Sequence, residues 1–321
     1  MSAGSHTSRH GDAVPADWTR EPERSNATAL RVMSWIALHC GRRVARWVLH
    51  PITLYFLLFA AGPRRHSRRY LGRALGRPAR LADAYRQVHA FASTILDRVY
   101  FLSGRMDLFD VQVHGESLID ATLADGRGAF LVGAHLGSFE ALHVVGRTRP
   151  ALRIAMVMYP DNARLINSAL AAVAPDFRAD IIALGRMDSM LAIRDWLDAG
   201  GLAGMLADRS LPEGSSTRSS SVSLPFLGQP AEFNDGPFRL AALLRRRVVF
   251  MTGLYLGGNR YEVRFAPLAD FSERAGDPAE RERQIRAALQ AYADRLEALC
   301  REHPYNWFNF HDFWREDAPR R

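Results

Sequence analysis

The chain has 321 residues, enough for one large α/β domain or for one domain with a membrane-associating segment. Its formal charge of +8 is carried by arginine alone, because no lysine occurs, and this suits anionic partners such as phospholipid head groups or acidic carrier proteins. Zinc-finger spacing and RNA-binding aromatic signatures are missing, so no nucleic acid partner is expected, and Cys40 and Cys300 form neither a CxxC pair nor a disulfide framework.

Residues 1–27 are polar and lack apolar periodicity, so they read as a disordered tail; no apolar core or cleavage site marks them as a signal peptide. Residues 28–70 read as a membrane-associating segment. Arg31, Arg42, Arg43 and Arg46 lie among Trp35, Ile36 and Trp47, an apolar run fills 51–61, and Arg64, Arg65, Arg68 and Arg69 follow. The stretch 47–62 is shorter than the roughly 20 residues of a comfortable span, and Pro51 interrupts it. An interfacial or marginally spanning anchor is expected, with the arginines and residues 71–321 on the cytoplasmic side.

Residues 81–106 carry Phe91, Ile95, Leu96, Val99 and Leu102 at amphipathic-helix spacing. Strands are then predicted at 109–114, 130–134, 154–159, 181–184, 202–206, 248–255 and 261–265. Helices are predicted at 118–123, 139–146, 163–173, 190–197, 236–244 and 280–300. This alternation implies an α/β fold, a mixed sheet flanked by helices. Residues 210–223, rich in Ser, Gly and Pro, read as a long flexible loop.

The segment Ala129 to Glu140, AFLVGAHLGSFE, carries the chemistry. An apolar run ends at His135, Gly137 marks a turn, and Ser138 is a plausible cap for a following helix. His135 and Glu140 would meet at a strand-to-helix corner, since a regular helix sets residues five apart about 140° from each other. There the imidazole can take a proton from a hydroxyl while the carboxylate orients the ring.

HLGSFE resembles the H-x4-D/E motif of lipid acyltransferases, in the H-x-G-x-x-E form of the bacterial lipid A (lauroyl/myristoyl) acyltransferases. Four later segments resemble that family in its order. They are 158–162 with Asn167, then 204–209 ending in Asp208-Arg209, then 225–231 leading to 236–241, and finally 303–310 with its H-P-x-x-W-F pattern. Arg209 stands where the family often has glutamine, which resembles a divergent D-R branch associated with other lipids or aryl polyenes.

The resemblance implies a glycerolipid-acyltransferase-like fold over 71–321 and transfer of a fatty acyl group from an acyl carrier protein or acyl-CoA thioester to a lipid hydroxyl. It implies His135 as general base, Glu140 as its orienting acid, and backbone N–H groups of Gly137 and Ser138 as oxyanion donors. Asp208, Arg209, Arg186 and Asn162 become substrate-binding candidates, the arginines for phosphate. Carrier protein and membrane lipids are the implied partners, at the cytoplasmic face of a bacterial inner membrane. No metal or nucleotide cofactor is expected, because no P-loop, HExxH or GxGxxG after a strand occurs. The serine-rich loop, with Arg218 as its one cation, suggests an acceptor less charged than lipid A. Two alternatives are a non-catalytic lipid-binding protein of the same fold and a serine hydrolase acting through Ser138; the missing G-x-S-x-G elbow disfavours the second.

Overall fold

A computed structural model describes residues 27–142, 145–146, 149, 152–159, 180–185, 187–209 and 221–315. The tail 1–26 and the helix predicted at 163–173 lie outside them. The strands are β1 (Asp110–His114), β2 (Phe130–Gly133), β3 (Ile154–Met158), β4 (Ile181–Ala183), β5 (Leu202–Leu206), β6 (Ser221–Phe226), β7 (Gln229–Asn234), β8 (Arg247–Gly257) and β9 (Arg260–Asp270). Seven of them form a mixed sheet in the order β1-β9-β8-β2-β5-β3-β4, in which β8 and β9 are antiparallel and all other neighbours are parallel. The expected mixed α/β architecture is present.

Burial explains why β2 is central. All four of its residues are buried, and they alternate between two apolar clusters, Phe130 and Val132 in one and Leu131 in the other. Helices α5 (Met187–Asp198), α6 (Gly236–Leu244) and α7 (Pro278–Glu302) cover the first face through Ile193, Phe238, Leu289 and Tyr292. Helices α3 (Leu81–Leu102) and α4 (Glu116–Leu123) cover the second through Phe101 and Ile119. Pro278 at the start of α7 and Asp277, whose side chain accepts from the Glu280 N–H at 2.7 Å, fix where that helix begins.

Three features differ from expectation. The segment predicted as a helix over 139–146 opens with a 3₁₀ turn at Phe139–Leu142 instead of a regular α-helical turn, and of its other described residues Val145 and Gly146 are helical. Gly137 sits at φ +76° against Gly253 of β8, so close that any Cβ would overlap the Gly253 carbonyl, and this lateral docking fixes the corner before a regular helix can start. Second, β6 and β7 form a hairpin outside the main sheet, turning through Leu227 and Gly228 at φ 50° and 80°. Two positive-φ residues make the tight primed turn of hairpins, but Leu-Gly lacks the usual Asn-Gly signature. Third, the arginine-rich stretch after the apolar run is a helix of its own.

That helix, α2 (Ala61–Ala74), meets α1 (Ala27–Phe59) at a 95° bend. Pro51 is carried inside α1, whose internal break is at Gly41 instead. Ala37, Ala45 and Leu49 of α1 pack on Leu96, Val99 and Tyr100 of α3, while Trp47, Leu54, Tyr55, Leu58 and Phe59 are exposed. No single described helix is long and apolar enough to cross a membrane; α1 and α2 reach that measure only as a bent pair. Residue 70 falls inside α2, where Tyr70 and Leu71 are buried in the main core.

Candidate active site

The site forms because two strands are in register. β2 and β5 pair in parallel with Gly133 opposite Leu206, so the residues two positions beyond each strand end, His135 and Asp208, emerge side by side. This is the carboxyl edge of the sheet, where α/β folds place their ligands. The His135 Nδ1 lies 2.8 Å from Asp208 Oδ1, and the His135 backbone N–H donates to Asp208 Oδ2 at 3.0 Å. A carboxylate only accepts, so Nδ1 carries a proton, and in the neutral ring this tautomer puts the lone pair on Nε2. The His135 side chain is 30% exposed whereas that of Asp208 is 2% exposed, so the ring opens to the surface and its partner does not.

The C-terminal segment after α7 closes this corner from above. Trp307, fully buried, donates its indole N–H to Asp208 Oδ2 at 2.9 Å. Leu136 bridges Trp307 in antiparallel fashion, the Phe308 N–H donates to the His135 carbonyl at 2.8 Å, and the Tyr292 hydroxyl donates to the Gly133 carbonyl at 3.0 Å. Burial alone would raise the Asp208 pKa. The adjacent His135, with Arg209 and the Trp307 N–H, outweighs burial and holds the carboxyl well below the usual carboxylate range. Asp208 is therefore an anion at neutral pH, fixed by three donors.

A hydrogen-bonded His–Asp pair at the carboxyl edge of a mixed sheet suits proton abstraction from a hydroxyl. The model of the bacterial lipid A biosynthesis acyltransferases matches residues 26–316. The chain belongs to this family. No curated protein matches it.

In this acyltransferase the acid against the ring is Asp208. Glu140, which the sequence pairs with His135, points elsewhere: its Oε1 lies 2.6 Å from Arg98 Nε of α3, and its Oε2 accepts from the Ser138 hydroxyl at 3.0 Å. Ser138 is buried, its hydroxyl committed to that bond. The backbone amides expected to serve as oxyanion donors are also committed: the Gly137 N–H donates to the Asn306 carbonyl at 2.9 Å and the Ser138 N–H to the Gly253 carbonyl at 2.7 Å. The two bonds tie the corner to the C-terminal segment and to β8, tertiary contacts that the motif itself does not encode.

Arg209 is half-buried beside Asp208; burial depresses its basicity, and the Asp208 charge partly restores it. Arg186 and Asn162 lie outside the described residues. The sequence gives no hint of Arg98 as the partner of Glu140, which stands more than forty positions upstream in another helix. Trp307 is legible only as an aromatic in a terminal cluster, and its donation to Asp208 is decided by the fold. Among the described residues no group of three or more His, Cys, Asp or Glu is arranged to hold a metal ion.

Proposed function

We propose that this acyltransferase moves a fatty acyl chain from an acyl carrier protein thioester, or acyl-CoA, to a hydroxyl of a membrane lipid at the cytoplasmic face of a bacterial inner membrane. His135 Nε2 takes the acceptor proton as the hydroxyl oxygen bonds to the thioester carbon. The tetrahedral oxyanion then collapses, the C–S bond breaks, and the imidazolium returns its proton to the departing thiolate. Asp208 keeps the ring in the required tautomer and stabilises its charged form. The observation that carries this reading is the 2.8 Å His135–Asp208 contact.

Membrane attachment is supported by the exposed aromatic and aliphatic side chains that end α1, from Leu54 to Phe59, followed by residues 61–80 with seven arginines and no acid. The serine-rich stretch 210–223, whose one cation is Arg218, suits an acceptor carrying fewer phosphates than lipid A. Expression in a strain without its own secondary lipid A acyltransferases tests this point. Unchanged lipid A in the mass spectrum is expected, and restored hexa-acylated lipid A would return the acceptor to lipid A itself.

The chemistry is tested by His135→Ala and Asp208→Ala in the full-length protein, with acyl transfer to extracted membrane lipid as the readout. Both variants should fold and lose ~10²–10⁴-fold in turnover, the usual cost of removing a general base or its orienting group. Near wild-type turnover in His135→Ala would remove the mechanism.

A further inference from the structure

A histidine facing a buried carboxylate holds its proton tightly, and an imidazolium cannot act as a base. A general base works best when its proton affinity matches the working pH, so a second donor on the carboxylate matters. Asp208 has one. Its Oδ1 faces His135 Nδ1 at 2.8 Å, while its Oδ2 accepts the Trp307 indole N–H at 2.9 Å. A hydrogen bond to the far oxygen draws carboxylate charge away from the ring.

The indole is held for this contact by groups outside the catalytic pair. Gln87 of α3, fully buried, donates its amide to the Trp307 carbonyl at 2.6 Å. The Ser67 hydroxyl of α2, also buried, donates to the Gln87 side-chain oxygen and so fixes which end of the amide faces Trp307. The Tyr70 and Phe313 rings stand edge-on to the indole at 4.8 and 5.0 Å between centroids. The next N–H along the chain, that of Phe308, donates to the His135 carbonyl. Residues 307 and 308 therefore grip the pair at both ends, on Asp208 and on His135. The titratable groups around the pair among the described residues are few. Arg209 follows Asp208 in the chain, and burial keeps the Tyr292 hydroxyl and the Cys300 thiol of α7 protonated and the His311 ring neutral. Arg98 and Glu140 are bonded to each other. His66 of α2, whose charge acts on His311, is common to all the variants below and cancels from their differences.

We infer that Trp307, held in place by Gln87, is a positioning residue that sets the strength of the His135 base by sharing the Asp208 carboxylate. The inference rests on the proposed acyl transfer. With the indole bond present, part of the carboxylate charge is engaged by Trp307, and the imidazolium gives up its Nε2 proton readily. Without that bond the full charge falls on the imidazolium, and the ring stays protonated to higher pH.

The test follows kcat/KM for acyl transfer against pH in full-length protein, with palmitoyl thioesters of carrier protein and of CoA as donors and the host's total lipid extract as acceptor. The acid limb of that profile reports the base of the free enzyme. Trp307→Phe deletes the donor but keeps an aromatic ring, and it should move the acid limb up by ~1 pH unit, the size of one hydrogen bond to a charged group. Gln87→Met, which removes the donor to the Trp307 carbonyl, should move the limb the same way by less. If thermal unfolding shows Trp307→Phe to be misfolded, benzothienylalanine placed at position 307 decides, because it exchanges the indole N–H for sulfur in a ring of the same shape. An acid limb within ~0.3 pH unit of wild type in a folded Trp307 variant would overturn the inference even where kcat falls, since a purely structural role lowers the plateau and leaves the limb in place. A limb that moves in the Trp307 variants but not in Gln87→Met would remove Gln87 from it. His135→Ala is the control: activity that survives it sinks the acyl-transfer mechanism, whereas activity that needs His135 but keeps its acid limb without the indole N–H sinks only this inference.

Discussion

Two carboxylates compete for the description of catalytic acid, and their surroundings separate them. Asp208 is buried, bonded to the ring and to Trp307, and held anionic. Glu140 is tied to Arg98 and Ser138 and anchors the corner to α3. Glu140→Gln should therefore reduce turnover by less than about tenfold, against the ~10²-fold or more of Asp208→Ala, while lowering the unfolding midpoint because Arg98 loses its counter-charge. Equal kinetic losses in the two variants would give the orienting role back to Glu140. A second residue-scale effect concerns pH. Burial, reinforced by Arg209 and only partly opposed by Asp208, pulls the His311 ring down to about 3. In the unfolded chain a histidine titrates near 6.5, so below that pH the unfolded state takes up a proton that the folded state refuses. Stability is unaffected by His311 above pH ~6.5 and falls by up to about 1.4 kcal/mol per pH unit below it. Urea unfolding between pH 5.5 and 4.5 should show this slope in wild type and a shallower one in His311→Gln. Parallel slopes would mean that His311 is not held neutral.

At the scale of elements, α1 is fastened to the catalytic domain by its apolar packing on α3 and by a set of polar contacts beside it. Arg42 reaches the buried Asp97 of α3 at 2.7 and 2.8 Å, and the Tyr261 hydroxyl of β9 donates to the same carboxylate at 2.8 Å. Arg46 adds a bond to the Tyr255 hydroxyl at 3.0 Å. Removing one partner of a buried pair strands the others, so Asp97→Ala should cost ~3–5 kcal/mol. Its local signature should be faster proteolytic cutting around Gly41, where α1 already departs from helical geometry with φ at 83°. A destabilised variant without faster cutting there would show that Asp97 holds α3 to the sheet rather than α1 to α3.

Over the whole molecule, the bent α1–α2 pair brings an apolar tip and an arginine face to one corner. α2 also carries Tyr70 and Leu71 into the core, and the Tyr70 hydroxyl donates to the Pro304 carbonyl at 2.8 Å, just ahead of Trp307. Cutting the chain at residue 70 would thus strip core contacts along with the attachment. Replacing Tyr55, Leu58 and Phe59 by serine is the cleaner experiment, because all three are exposed and core packing does not depend on them. Each buried large apolar side chain contributes ~1.5–3 kcal/mol, so the triple variant should keep its melting temperature and lose flotation with anionic vesicles. Undiminished flotation would move the membrane contact to α2 or to the catalytic domain.

The sequence by itself determines the layer architecture, because burial on two faces requires apolar runs of strand length and amphipathic helices between them. It also determines that His135 and Asp208 both follow such runs, since polarity changes abruptly at each strand end. What it leaves open is which strand lies beside which. Asp208 becomes the partner of His135 only because β5 inserts next to β2 in one register, with Gly133 opposite Leu206. That neighbourhood joins positions 73 residues apart and is settled by long-range packing, whereas the H-x4-E spacing is a local pattern whose acid the tertiary structure turns toward Arg98. In the same way the C-terminal segment reads as an aromatic cluster along the chain. Its indole and amide donors acquire their targets once α7 returns it over the carboxyl edge of the sheet, where desolvation gives each hydrogen bond its weight.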